Sequence, residues 1–368
     1  MSRRLFPALA VAAMLACPGI GRADTLDDSL QTVWESLWDQ GGTARLVLRW
    51  KSPVTYRIFG PDSARHMDHL RAALLAAQQA TGVVMVDVSG RPDAESAASL
   101  ELEVVSDKTL ADNAPCITET RQIRNWLLEK VRVRMRSSDT WRCAFHEVMH
   151  AMGIPGHPSG KTVLSYFPYR NDVLMDLDRL MLAAWYSPRL TPGATPLEAL
   201  VVMSAAVARQ PELGLPAETA RERASAFNRA RLNDMEALAS GRGEIPAIVL
   251  RSGRASVSNT ALMQGFYAWY VGVAYLRGAI ADRDPVAATM WFERGAQKGF
   301  SPAQVMWARA LRDGSGVSAD PVSAHGWFAL AAKQGHPLAV TELARLEQAL
   351  DAGQLDQARS RPLPQTPP

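Results

Sequence analysis

The chain has 368 residues, of which 47% are hydrophobic, so it is long enough to form two globular units. Its formal charge of +3 arises in residues 1–23, which carry Arg3, Arg4 and Arg22 and no acidic residue, so the remainder balances at 3 − 3 = 0. A chain without a basic excess is not typical of nucleic-acid-binding proteins, and we expect no nucleic-acid partner.

Residues 1–23 have the arrangement of a secretory signal peptide. A basic start at Arg3 and Arg4 precedes an apolar run over 5–16, and a small-x-small cleavage site follows at 21–23. A membrane helix or a core helix is the alternative, but an apolar run of about twelve residues is short for spanning a bilayer. We therefore predict an exported bacterial protein, either periplasmic or secreted.

The cysteines agree with export. Met14-Leu-Ala-Cys17 resembles a bacterial lipoprotein cleavage site, so a lipid tether at Cys17 is a further alternative. Removal of the leader leaves Cys116 and Cys143, and an even pair in an exported chain predicts a disulfide. It would close a loop of about 28 residues, stabilise the fold by about 3–4 kcal/mol and pin the start of the following helix. The alternative for Cys143 is a thiolate ligand of a metal.

Up to residue 136 the hydrophobic pattern predicts two helices and five strands. His66 and His69 lie on the second helix and could ligate a metal, although a solvated helix face is the simpler interpretation. The last strand has a basic face that could bind an acidic substrate, or that forms a solvated edge protected by charge. The predicted helices cover 25–40 and 63–81, and the predicted strands cover 45–50, 55–59, 83–88, 99–105 and 130–136.

The next stretch carries the strongest chemical signal, His146-Glu147-x-x-His150. On a helix that turns about 100° per residue, these three side chains share one face, while apolar residues occupy the opposite face. Two imidazoles one turn apart can hold one zinc ion, and the intervening glutamate can reach a water molecule beside it. The alternative is a purely structural pair of histidines.

A third ligand can follow the helix. Gly153 can end the helix in a left-handed conformation and Pro155 prevents its continuation, so the chain can return toward the histidine pair. His157 is therefore predicted to complete the metal site. The rivals for this role are three acidic residues whose tract could also fold back, namely Asp172, Asp176 and Asp178.

These residues resemble a known group of enzymes. His146-Glu147-x-x-His150-x-x-Gly153 followed by His157 is similar to the metzincin clan of zinc metalloproteases, and 162–166 is similar to its Met-turn. Residues 45–195 resemble an uncharacterised family of exported bacterial domains. Two positions depart from the clan pattern, because three residues separate Gly153 from His157 and Leu164 replaces the methionine.

The resemblance implies roles for individual residues. His146, His150 and His157 would hold Zn²⁺, and Glu147 would take a proton from the attacking water and pass it to the leaving amine. Tyr166 would donate a hydrogen bond to the developing oxyanion, or it is a packed aromatic residue below the site.

The last hundred residues repeat. Asp284-Pro285 recurs as Asp320-Pro321, and Trp291-Phe292 recurs as Trp327-Phe328, so the period is 320 − 284 = 36 residues. Such a period predicts stacked helical hairpins. The pattern resembles the Sel1-like relatives of tetratricopeptide repeats, which implies a protein partner bound through the repeats.

Together these features predict an α+β, metzincin-like zinc-binding domain followed by an all-α helical-repeat (α-solenoid) domain. The predicted function is an exported zinc metalloendopeptidase that hydrolyses a peptide or protein substrate, with the repeats recruiting a partner. The alternative is a non-catalytic binding or scaffold protein of the cell envelope with a structural or vestigial zinc site. The predicted segments are a signal peptide at 1–23, the metallopeptidase domain at 24–193, a helical linker at 194–258, the repeats at 259–350 and a disordered proline-rich tail at 351–368.

Overall fold

A computed structural model describes residues 25–39, 43–111, 114–165, 173–244 and 261–367. The predicted signal peptide with Cys17, residues 245–260, Tyr166 and Asp172 therefore lie outside the described residues. Within the described ranges, no helix combines the length and apolarity needed to cross a membrane.

The described elements form an α/β unit followed by helices alone. The α/β unit comprises α1 (Leu26–Ser36), β1 (Arg49–Trp50), β2 (Val54–Phe59), α2 (Ser63–Thr81), β3 (Met85–Asp87), α3 (Ala94–Ala97), β4 (Leu100–Val105), β5 (Cys116–Arg124), β6 (Leu127–Arg136), α4 (Thr140–Ala151) and α5 (Asp176–Trp185). The helices that follow are α6 (Pro196–Val207), α7 (Ala217–Ala239), α8 (Ala261–Arg277), α9 (Pro285–Gln297), α10 (Ser301–Asp313), α11 (Pro321–Lys333), α12 (Pro337–Ala349) and α13 (Ala352–Ser360).

The six strands form one sheet that is mostly parallel. β1 and β4 pair with successive parts of β6, β2 pairs with β4 and β3 pairs with β2, and all of these pairs are parallel. β5 pairs with β6 in the antiparallel direction through the turn at 125–126. The N-terminal unit is thus an α/β domain, and its likeness to a metzincin stays a prediction.

Most predicted strands and helices are present in the structure, although several bounds differ. The helix predicted over 25–40 ends at Ser36, and the short α3 was not predicted. The strand predicted over 45–50 is wrong for 45–48, since only Arg49–Trp50 is extended in the sheet. β5 was not predicted at all, because its sequence is polar on both faces and lacks the apolar alternation that marks a strand. α2 has the predicted bounds, and it ends at Gly82, which has a left-handed φ of 73°.

The two faces of the sheet differ in chemistry. Valine and methionine side chains of β6 are buried on one face, where α4 packs. On the other face Arg132 pairs with Glu103 of β4 at 2.9 Å and Arg134 pairs with Glu119 of β5 at 3.4 Å. The basic face is therefore neutralised by acidic residues of neighbouring strands, which favours the interpretation as a charged solvent-facing surface over a site for acidic substrates.

A disulfide joins Cys116 at the start of β5 to Cys143 in the first turn of α4. The predicted pairing is present in the structure, and the alternative of a Cys143 thiolate ligand is excluded for this oxidised state. The bridge fastens the antiparallel edge strand to the helix that carries His146 and His150.

Serine at both cysteine positions is expected to lower the free energy of unfolding by about 3–4 kcal/mol, because the 27-residue separation no longer restricts the unfolded chain. Denaturant unfolding of the double variant and of the parent protein measures this difference. Reduction of the parent should reproduce the stability of the variant. Equal midpoints for the oxidised parent and the variant would contradict the prediction.

The helical half packs directly on the α/β unit. The side chain of Tyr270 on α8 donates a hydrogen bond of 2.7 Å to the carbonyl oxygen of Ala44, and the rings of Trp38 and Tyr267 lie 6.0 Å apart. The region predicted as a helical linker contains α6 and α7, and apolar side chains of both helices belong to the core of the α/β unit.

The prediction of a disordered tail from residue 351 is wrong for 352–360. Asp351 accepts a hydrogen bond of 2.8 Å from the backbone of Gln354, and the Gln354 side chain returns to the Asp351 backbone. This reciprocal cap begins α13, which packs against α11 and buries Ala358.

Candidate metal centre

Helix α4 presents two histidines on the side opposite its core face. Ala144, Phe145 and Val148 are buried against the sheet and α2, which fixes the rotation of the helix. His146 and His150 consequently project from consecutive turns toward the loop that follows the helix.

The chain after α4 reverses at Gly153 and brings His157 back to this pair. Gly153 has a φ of 104°, and a β-carbon there would lie 2.2 Å from the carbonyl oxygen of Leu48, so only glycine fits. The Nε2 atom of His157 lies 3.2 Å from that of His146 and 3.1 Å from that of His150. The Nε2 atoms of His146 and His150 are 3.2 Å apart. The structure thus brings together the three histidines (the His triad) that the sequence singled out.

The donor set of the His triad fits a zinc ion. Four ligands at about 2.0–2.1 Å in a tetrahedron are separated from one another by roughly 3.3 Å, close to the observed nitrogen separations. Nδ1 of His146 donates to the carbonyl oxygen of Val163, and Nδ1 of His150 donates to that of Ile154, both at 2.8 Å. Their Nε2 atoms therefore carry the lone pairs that a metal requires.

Burial keeps the three imidazoles neutral. It lowers the pKa of His146 to about 4 and that of His150 to about 3, and for His150 the neighbouring His146 adds to the effect. The pKa of His157 is lowered by burial and by both neighbouring histidines. Three neutral imidazoles whose Nε2 atoms meet at one point form a site for a cation.

Glu147 lies beside the His triad without joining it. Its Oε1 is 3.8 Å from Nε2 of His146, and its Oε2 accepts a hydrogen bond of 2.6 Å from Thr118 on β5. The residue is only 3% exposed, and burial raises the pKa of its carboxyl group to about 7. A carboxyl group with such a pKa can accept and release a proton near neutral pH. Sequence reasoning missed Thr118 because β5 gave no strand signal.

Helix α1 supports the loop that carries His157. The Oε2 atom of Glu35 accepts hydrogen bonds from the backbone and hydroxyl of Ser159 at 2.7 and 2.8 Å. The backbone of Gly156 donates to the carbonyl oxygen of Ser36 at 2.8 Å. A β-carbon at Gly160 would lie 1.9 Å from Oγ1 of Thr32, so the loop touches the helix closely. No local pattern in the sequence links α1 to this loop.

Helix α5 holds the second part of the same loop through Asp178. This carboxylate accepts hydrogen bonds from the Thr162 hydroxyl, from the Val163 backbone at 3.2 Å and from the Met175 backbone at 2.9 Å. Asp178 is fully buried, although its place in the first turn of α5 is one where an exposed polar residue would be expected. Because Val163 orients His146, Asp178 positions a ligand and is not one itself.

The remaining candidate residues lie apart from the His triad. His66 contacts Ser137 at 3.1 Å and His69 contacts the carbonyl oxygen of Trp141 at 3.0 Å, so the two do not form a shared site. Among the described residues, Asp176 does not belong to any group of possible ligands.

Alanine at Glu35 is expected to lower zinc affinity about 10- to 100-fold, because the loop carrying His157 loses its anchor on α1. Glutamine at this position keeps an acceptor for Ser159 and should lose less affinity. Competition with a chromophoric chelator measures both changes. Glu222→Ala, at an exposed position of α7, serves as the control. Unchanged affinity in Glu35→Ala would show that the loop keeps its shape without this contact.

Comparison with known proteins identifies the repeats. Residues 267–300 and 301–336 each match the Sel1 repeat family model. The predicted helical repeats are therefore confirmed over α8–α11. No curated protein matches the chain.

Two solved structures resemble part of the chain. A Sel1 repeat protein from Oxalobacter formigenes is 26% identical over 30% of this chain and 83% of that chain, with a TM-score of 0.22. The protein c5321, a protective antigen of uropathogenic Escherichia coli strains with an SLR fold, is 16% identical over 59% of this chain and 51% of that chain, with a TM-score of 0.26.

Proposed function

We propose that the protein is an exported binding protein that recognises a protein partner through its Sel1 repeats and carries a zinc site in its N-terminal domain. The match of residues 267–336 to Sel1 repeats is the observation that carries the binding function. Stacked helical hairpins offer extended surfaces that suit protein recognition. This is the alternative prediction from the sequence, and the comparisons favour it over the peptidase.

The surface of the repeats supports this proposal. On α9, Val286 is 56% exposed and Met290 is 66% exposed. A cavity of about 340 Å³ adjoins Met290, and its lining includes Tyr275, Trp291 and Arg294. Large apolar residues exposed around a cavity are typical of protein interaction sites.

Crosslinking of the exported protein in its native cell, followed by mass spectrometry, tests the binding function. Met290→Lys should deplete the partner that the parent protein captures. Val84→Lys changes an exposed apolar residue outside the repeats and should leave capture unchanged. A partner that is retained by Met290→Lys and lost by Val84→Lys would contradict binding through the repeats.

A zinc-dependent peptidase is the second candidate function, and the position of Glu147 beside the His triad favours it. Three histidine ligands are typical of catalytic zinc sites, whereas structural sites use four protein ligands. A zinc ion held there would supply Lewis-acid polarisation of a substrate carbonyl and a more acidic water. Glu147 would accept the proton of the attacking water and deliver it to the leaving amine, and Thr118 would hold the carboxylate in place.

Metal analysis combined with a peptide-library cleavage assay separates these functions. We expect one zinc per mature chain under both proposals. Cobalt substitution then reports through its absorption spectrum whether the coordination sphere is open or closed. Cleavage of library peptides would establish the peptidase, whereas an open zinc site without cleavage would favour the binding protein. A chain purified without bound zinc and unable to take it up would contradict the site itself.

A further inference from the structure

The segment after α13, residues 361–367 (the tail segment), lies along the repeats. Nη1 of Arg361 is 3.3 Å from the hydroxyl of Ser323 on α11. A β-carbon placed at Gly326, one turn further along α11, would lie 3.3 Å from Cδ of Pro364. A β-carbon at Gly299, after the end of α9, would lie 3.6 Å from the carbonyl oxygen of Pro367. The tail segment therefore follows α11 and reaches the preceding repeat.

The exposure pattern shows which side chains face the repeats. Arg361 and Pro362 are exposed, and from residue 363 onward the pattern alternates: Pro364 and Thr366 are half-buried, whereas Leu363, Gln365 and Pro367 are exposed. Alternation with a period of two is the pattern of an extended chain with one face on a surface. Proline fixes φ before binding, so a proline-containing segment loses little conformational entropy when it docks in an extended form.

Gly326 makes this approach possible. The equivalent residue of the preceding repeat is Met290, at 326 − 36 = 290, and its side chain is exposed to solvent. A glycine inside a helix costs about 1 kcal/mol relative to alanine, so this position is unfavourable for α11 alone. Its missing side chain leaves the space in which Pro364 lies.

Charge complements the shape at the start of the tail segment. Asp320 begins α11 by accepting hydrogen bonds from the backbone and hydroxyl of Ser323 at 2.9 and 2.6 Å. The hydrogen bonds from Ser323, followed by the charge of Arg361, lower the pKa of this carboxyl group. An arginine is thus attracted to the end of α11 at which the tail segment starts.

We infer that the face of α11 around Ser323 and Gly326 is a binding site for an extended peptide of the form Arg-x-x-Pro, and that the tail segment occupies this site in the free protein. The inference rests on the proposed binding function of the repeats and specifies the chemistry of the partner. The partner presents an arginine followed three residues later by a proline, and it displaces the tail segment when it binds.

Because the tail segment is covalently attached to the repeats, it competes strongly with a peptide added in solution. A short linker holds the tail segment at an effective concentration in the millimolar range. If the tail segment binds the site with a dissociation constant near 0.1 mM, it is then docked in about ten of every eleven molecules. A peptide added in solution should therefore bind about tenfold more tightly once the tail segment is prevented from docking.

The experiment uses a fluorescein-labelled peptide with the sequence of residues 361–368 and measures fluorescence anisotropy with full-length proteins. The parent protein should bind the peptide weakly. The double variant Arg361→Ala, Pro364→Ala should bind it about tenfold more tightly, because its own tail no longer competes. Introducing Gly326→Leu into that double variant should weaken binding more than tenfold. Gly353→Leu is the matched control, since a β-carbon at this helical glycine contacts only Asp351, at 3.4 Å.

Peptide variants keep the test independent of folding defects in the protein. A peptide with alanine in place of its arginine and its second proline should lose binding to the double variant. The inference is overturned if the double variant does not bind the parent peptide, if it binds no more tightly than the parent protein, or if Gly326→Leu has no effect. Loss of partner capture in Met290→Lys is measured separately, so failure of the proposed function and failure of this inference are distinguishable.

Discussion

Alanine at His157 is expected to lower the affinity for zinc by more than about 100-fold. The imidazole supplies one of three converging nitrogen atoms, and loss of a partner outside the ligand set already costs about 10- to 100-fold in metal sites. Competition with a chromophoric chelator measures the change. His157 lies in the loop beyond Gly153 and not in α4, so the helix itself should remain folded.

Asp176→Ala is the matched control for this experiment. Asp176 was a rival ligand in the sequence, and it lies exposed in the first turn of α5, outside the His triad. We expect its replacement to leave zinc affinity unchanged. Full zinc occupancy in His157→Ala together with loss in Asp176→Ala would reverse the assignment of the third ligand.

Glu147→Gln is expected to keep the zinc content and to lower peptidase activity by about 100- to 10,000-fold, if the second candidate function holds. Glutamine retains the shape of the side chain and an acceptor for Thr118, but it cannot take a proton from water. Zinc is measured by atomic absorption and activity by hydrolysis of quenched fluorescent peptides. Glu119→Gln on β5, next to Thr118, controls for the loss of one negative charge and should retain activity.

The outcome of this experiment also bears on the first proposal. A parent protein that cleaves peptides and a Glu147→Gln variant that cleaves them equally fast would remove Glu147 from the chemistry. If the parent cleaves nothing, the buried carboxyl group of Glu147 is a structural partner of Thr118. Binding through the repeats is then the function that remains.

Features carried by local pattern could be predicted from the sequence. α2 and α4 have strong helical periodicity and a glycine at or just after their ends, and the 36-residue period locates the repeats. The spacing of His146, His150 and His157 selects three residues that the fold brings within hydrogen-bonding distance of one another. In each of these cases the signal is contained in a short stretch of chain.

Features that depend on contacts between distant segments could not be predicted. The hydrogen bonds from Ser159 to Glu35 join residues 124 positions apart, and nothing in either stretch alone indicates the other. Asp178 has the spacing of a polar helix residue, and in the fold it is buried and hydrogen-bonded to the distant residues Thr162 and Val163. The polar sequence of β5 forms a strand because β6 offers a free edge beside it. The docking of the tail segment likewise requires the shape of α11.

The disulfide between Cys116 and Cys143 determines in which cellular compartment the region around Glu147 reaches its final structure. Cys116 precedes Thr118 by two residues, and Cys143 precedes Glu147 by one helical turn, so the covalent link sits beside the hydrogen bond between Thr118 and Glu147. Disulfides form in oxidising compartments and are rare in the reducing cytosol. A newly made chain would therefore align Glu147 with the His triad by packing alone until the disulfide forms. Under the proposed export, arrival in an oxidising compartment would be the step that completes the site.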